Sequence, residues 1–360
     1  MRSFTPRVSP SLSLVLALGL GALSSLAIAC SSDDAASDSP GGANTTGATV
    51  TLEGGAGSEG GSGPTSDGGV GPDGGPSDMS ELQKRKAQML TSFWENDTTV
   101  FQYAFARNNN DGYGYTSGRV GFTTATGDSA EVVQCFDLAF TGAGNLMKKY
   151  EAALLALRKK QQDTGQIQPS TGTLDAIGNY AADWKATATN AATAPAFDKC
   201  QDDLVDSIYW APTLPIMTKW GLTSALARAS LYDAFVVHGE SNVNDLASKT
   251  NGDVGNNSQK PATAPLSSAA ESTWLEAFNL RRVALLDSSD AWRGAIARGA
   301  LYEQQRRDGN FDFSQSITTD AKASVVFPGK GYSSTAYQKC VIHPDGSVTG
   351  DPACTSPTSN

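Results

Sequence analysis

Three side chains in the first third of the folded part of the chain could do acid–base chemistry. Glu95 directly follows the apolar pair Phe93–Trp94. Apolar surface beside a carboxyl disfavours its ionised form and raises its pKa, which suits a general acid. Asp111 opens a Gly-rich polar stretch and follows Asn108, Asn109 and Asn110. A hydrated carboxylate in such surroundings stays ionised, as a general base must. Thr116, five residues on, could hold a water for it. Two carboxyls with opposed environments on either side of a sugar are the minimum for glycoside hydrolysis. A plainer reading of the same residues has Glu95 ending a helix and Asp111-Gly112 forming a turn.

These residues must be positioned by a scaffold, and the chain is long enough to supply one. Of its 360 residues, 1–78 do not read as globular. Arg2 and Arg7 precede an apolar run that ends in LAIAC, the form of an export signal. LAIAC looks like a bacterial lipobox, which implies cleavage after Ala29 and lipidation of Cys30. Acyl chains on Cys30 would hold the protein at a membrane. Ser31, rather than an Asp, follows it, which points to the outer membrane and the cell surface. The organisation expected is a signal peptide over 1–29, a Gly/Ser/Asp-rich disordered tether over 30–78 and a catalytic domain over 79–360. The stretch 31–78 has no Lys, Arg or aromatic residue and too little apolar surface to offset its chain entropy.

The net charge is −10, of which the tether supplies most. An acidic chain argues against nucleic acid as partner and permits a cationic one. With two His, His238 and His343, a multi-histidine metal site is excluded, and neither a metal nor a cofactor is expected. Cys135, Cys200, Cys340 and Cys354 fit no zinc spacing. In an exported protein they can form disulfides, with three connectivities open.

Residues 79–95 carry apolar positions at helical spacing. Residues 111–128 are rich in Gly, Thr and Tyr and read as short strands and turns. Helical patterns resume over 129–141, 145–160, 173–189, 196–209, 224–238, 267–287 and 291–307. The polar run 240–265 reads as a surface loop, and 325–360 as irregular. The fold class expected is mainly α (α+β), a two-lobed helical fold with a small β segment after the first helix. Lysozyme-like glycosidases are organised this way.

The segment Glu95–Asp128 strongly resembles the start of glycoside hydrolase family 46, the chitosanases. The motifs are Glu95-Asn96, Asp111-Gly112-Tyr113-Gly114-Tyr115-Thr116, Gly121-Phe122 and Thr126-Gly127-Asp128. Downstream, Glu131–Gln134, Gly144-Asn145-Leu146, Leu231-Tyr232-Asp233-Ala234 with His238-Gly239, Phe278 with Arg282, and Gly309–Asp312 keep the family's order. The resemblance implies that Glu95 is the general acid, Asp111 the general base, and Thr116 a holder of the attacking water. The outcome would be inversion, with carboxyls roughly 6.5–9.5 Å apart. It implies that Asp128 binds a glucosamine ammonium, and that Gly121, Thr126 and His238 line the cleft. Asp233, Arg282 and Arg298 would form an ion network behind Glu95, with Arg293 competing for the place of Arg298 and Arg281 for that of Arg282. The partner implied is chitosan, a cationic polysaccharide, bound by a monomer. Arg107 and Tyr113 depart from the family, which often has an acidic residue and an Arg there. They leave room for another glycan, such as peptidoglycan, or for a non-catalytic lipoprotein that binds an amino-polysaccharide.

Overall fold

The computed structural model describes residues 79–257, 260–288, 295–333 and 339–356. The leader, Cys30, the tether and Arg293 lie outside the described residues. Among the described residues, no helix is long and apolar enough to cross a membrane.

Helix α1 (Glu81–Asn96) starts at Ser80, whose hydroxyl accepts from the Gln83 amide while the Gln83 side chain answers to the Ser80 amide. This reciprocal cap satisfies two donors that the first turn would leave orphaned. The helix stops at Asp97, which takes a left-handed conformation at φ 57°. Three short antiparallel strands follow, β1 (Ala106–Asn108), β2 (Tyr115–Ser117) and β3 (Phe122–Thr123). They pair in the order β1-β2-β3, with Arg107 opposite Thr116 and Thr116 opposite Thr123. Gly114 sits at φ 76°, and a Cβ there would fall 2.0 Å from Ser170 Oγ and 2.4 Å from Thr124 Oγ1. Only glycine lets these strands lie so close to the chain before the next helix pair.

Helices α2 (Asp128–Ala139), α3 (Lys148–Thr164), α4 (Thr171–Asp175), α5 (Tyr180–Thr189) and α6 (Ala194–Val205) complete one lobe. Its core holds Phe122, Val132, Val133, Phe136, Tyr150, Trp184 and Phe197. The Cys135–Cys200 disulfide ties α2 to α6. The single helix read over 173–189 is in fact α4 and α5. Asn179 caps α5 by accepting from the Ala182 amide, so the chain restarts there.

A π turn (Asp206–Trp210) leads to the second lobe: α7 (Thr213–Lys219), α8 (Ala225–Asp253), α9 (Ser268–Asp287) and α10 (Ile296–Arg307). They pack with α1 around Leu90, Trp220, Leu231, Trp274, Phe278 and Tyr302. The loop expected over 240–265 is helical in its first half instead. The chain kinks at Gly239 (φ 73°, ψ 169°) and then continues as helix to Asp253. Val243, Leu246, Ala247 and Thr250 are buried, so one face of this polar run is apolar at helical spacing.

The C-terminal region is also more regular than its sequence suggests. Strands β4 (Ile317–Thr318), β5 (Cys340–Ile342) and β6 (Val348–Gly350) form an antiparallel sheet, with α11 (Ala323–Val326) between β4 and β5. A disulfide joins Cys340 to Cys354. Tyr209 contacts the cores of both lobes.

Candidate active site

Glu95 lies in the last turn of α1, with 20 % of its side chain exposed. It lines a partly open cavity. The walls come from α1 (Gln88, Thr91, Ser92, Asn96), from Arg119 and Val120 beside the strands, and from Tyr209, Tyr232 and Val236. Both lobes therefore contribute to it.

Behind Glu95 runs a chain of ion pairs. Arg298 of α10 contacts the Glu95 carboxylate with one Nη. Its other Nη donates to Asp233 Oδ1 at 2.7 Å and its Nε to Asp233 Oδ2 at 3.2 Å. Arg282 of α9 contacts the same Oδ2. Thr91 Oγ1 donates to Oδ1 at 2.9 Å. Asp233 and Arg282 are fully buried and Arg298 almost so. Burial alone would push the Asp233 carboxyl up, but Arg298 and Arg282 outweigh it and hold it well below the carboxylate range. Burial would likewise lower Arg298, yet Asp233 and Glu95 raise it. Arg298 is the residue in contact with Glu95 among the described residues. Arg281 points elsewhere and pairs with Asp253.

His238, 7 % exposed, is buried just before the Gly239 kink. It feels Arg282, Arg298 and Asp233. Burial and the two guanidinium groups push its pKa down to about 3. The unfolded chain takes up a proton near pH 6.5 that the folded chain refuses. The His238 contribution is therefore complete above about pH 6.5 and declines as pH falls toward 3. Comparing the parent with His238→Gln by urea unfolding should show their stability difference changing by about 1.4 kcal/mol per pH unit between pH 6 and 4. Parallel curves would remove His238 from the acid response.

Asp111 is exposed, in the turn between β1 and β2. Its Oδ1 accepts from the Tyr113 amide at 2.9 Å, an Asx turn that fixes the carboxylate. Thr116 is buried on β2. Asn109 Nδ2 donates to Thr116 Oγ1 at 3.1 Å, and Arg107 Nε donates to Asn109 Oδ1 at 2.6 Å. Arg107 thus orients the amide that orients Thr116. Since Thr116 Oγ1 accepts from Asn109, its own hydroxyl proton is left to donate elsewhere.

Thr126 Oγ1 donates to Asp128 Oδ2 at 3.1 Å, at the start of α2. Burial pushes Asp128 up to about 6, opposed by the Thr126 hydrogen bond and helped by Glu131. Gly121 is buried at φ 77° in the turn before β3. Sequence reasoning passed over Arg119, whose guanidinium lies 3.9 Å from the Phe101 ring centre and pairs with Asp202. Nothing local in the sequence marks a pairing across 83 positions. Tyr232 was within reach, because it neighbours Asp233 on the same helix. Among the described residues, no group of three or more His, Cys, Asp or Glu is placed to hold a metal ion.

Comparison with known proteins places the chain in a family. The chain is 34% identical over 245 residues to the chitosanase of Bacillus subtilis (strain 168), covering 65% of this chain and 80% of that one. It is 33% identical over 208 residues to the chitosanase of Streptomyces sp. (strain N174), covering 57% and 67%. A mutant chitosanase from Bacillus subtilis MY002 complexed with 6 GlcN matches with TM-score 0.51 and 30% identity, over 67% of this chain and 95% of that one. The Gynuella sunshinyii chitosanase in complex with chitotetraose matches with TM-score 0.50 and 25% identity, over the same shares. Residues 89–317 match the family model for glycosyl hydrolase family 46, so the chain belongs to that family and is a glycoside hydrolase.

Proposed function

We propose that this enzyme is an endo-acting, inverting hydrolase of the β-1,4-glucosamine linkages of chitosan. The observation that carries the reading is Glu95 at the wall of a cavity between two lobes, held from behind by Arg298, Asp233 and Arg282. The chitosanases it resembles, two of them solved with 6 GlcN or with chitotetraose, support the substrate.

In this mechanism Glu95 gives its proton to the leaving glycosidic oxygen. Asp111 takes a proton from a water that attacks the anomeric carbon from the opposite face. Thr116 donates its free hydroxyl proton to that water's oxygen, because Asn109 already occupies it as an acceptor. The water's own hydrogen is thereby directed to Asp111. Arg298 stays paired to the carboxylate that Glu95 becomes, so the charge left by proton transfer has a partner in place. Asp128, ionised above about pH 6, pairs with a glucosamine ammonium. The Arg107 guanidinium adds positive charge near the same strands, which weakens attraction for a fully cationic chain. Some acetylated units beside Arg107 would suit that charge.

We further propose that the enzyme works at the cell surface, anchored through lipid on Cys30 and held off the membrane by the tether of residues 30–78. The basic start, the apolar run and the LAIAC stretch support this.

Reducing-end release tests the substrate, with highly deacetylated chitosan, chitin and peptidoglycan in parallel. Rapid cleavage of chitosan with little or none of the others is expected. Cleavage of another glycan alone would overturn the substrate. Binding to chitosan without cleavage would overturn the hydrolase mechanism.

A further inference from the structure

The match to the family ends at residue 317, and the chain that follows folds back on the helix that carries Glu95. It grips α1 at three levels. Lys86 Nζ, which donates to the Phe313 carbonyl at 2.9 Å, donates also to that of Pro344, in the turn between β5 and β6. Phe93, 1 % exposed, packs on Cys340 and Cys354, with Trp94 and Val348 at the margin. Past the end of the helix, the Thr99 amide and hydroxyl both donate to the Cys354 carbonyl, at 3.3 and 2.6 Å. Thr98 Oγ1 donates to the Ser356 carbonyl at 2.9 Å.

The residues on both sides of Glu95 are therefore fixed to one loop, closed by a disulfide across 14 positions. The last turn of a helix leaves carbonyls without partners and is where helices fray. Catalytic groups need placement within about 0.5 Å. Here the last turn of α1 gains an external anchor at the point where the carboxyl projects. The Cys135–Cys200 disulfide, by contrast, lies in the other lobe, between α2 and α6.

We infer that the Cys340–Cys354 loop is a positioning element for Glu95, setting where its carboxyl stands rather than only stabilising the fold. The inference rests on the reading of Glu95 as general acid.

The test compares Cys340→Ala/Cys354→Ala with Cys135→Ala/Cys200→Ala in the purified protein, on glucosamine oligomers well below the melting temperature. The first pair should lower kcat about tenfold while KM changes little, and should move the basic limb of the kcat–pH profile, which reports the general acid. The second pair should lower thermal stability and leave kcat and the profile in place. Thr99→Val keeps the disulfide and removes one anchor. It should lower kcat about threefold and shift the profile in the same direction. Parent kcat and profile in a folded Cys340→Ala/Cys354→Ala protein would overturn the inference, as would equal kcat losses from both pairs. If that protein does not fold, Thr99→Val decides alone, and an unchanged profile there overturns it. Glu95→Gln is measured beside them. Turnover surviving in it removes the general-acid reading. Its loss, with the loop variants unchanged, removes the loop proposal only.

Discussion

Glu95→Gln should lower kcat on highly deacetylated chitosan by about three orders of magnitude while chitosan still binds. Gln fills the same volume and its side-chain oxygen can still accept from Arg298, so the ion-pair chain keeps its shape. What Gln lacks is a proton to give the leaving oxygen. Asp111→Asn should fall by a similar factor for the complementary reason. An amide in that turn can still accept from the Tyr113 amide but cannot take a proton from water. Thermal melts separate these losses from unfolding, and both variants should melt close to the parent. Turnover within about tenfold of the parent in either variant would remove that residue from its role.

The largest effect on stability should come from Asp233→Asn. Asp233 is a carboxylate shared by two buried guanidinium groups, and it also accepts from Thr91. Removing its charge leaves Arg282 buried without it and leaves Arg298 with Glu95 alone. Breaking a buried pair by removing one partner destabilises by about 3–5 kcal/mol. That is a large share of the roughly 5–15 kcal/mol that holds a domain folded. Urea unfolding of parent and variant measures it. Activity should fall as well in the protein that remains folded, because Arg298 loses the contact that aims it at Glu95. A change under about 1 kcal/mol would mean that water reaches the network and screens it.

Much of this arrangement is legible in the sequence. The periodicity of 79–95 ends at Glu95, and α1 ends at Asn96. The Gly-rich stretch after Asp111 forms the turns and strands that hold Asp111 and Thr116. The rest is hidden for identifiable reasons. The helical face of 240–253 lies behind a Gly kink and among polar residues, so composition masks its period. The C-terminal strands are two or three residues long, too short to show alternation, and the disulfide beside them is one that spacing alone could not assign. The place of Arg298 behind Glu95 needs the helix register, because only packing decides which side chains of α10 turn inward. The relay from Arg107 through Asn109 to Thr116 needs the strand register that sets Arg107 opposite Thr116. In sequence, Arg107 is only a lost acidic residue.

In the proposed mechanism one carboxyl protonates the leaving oxygen while another activates a water on the opposite face. The anomeric form of the first product tests it most directly. Proton NMR during the first minutes of glucosamine-oligomer cleavage, before mutarotation, reads that form. The new reducing end should appear as the α anomer. Initial release of the β anomer would mean a covalent intermediate and would contradict the roles assigned to Glu95 and Asp111.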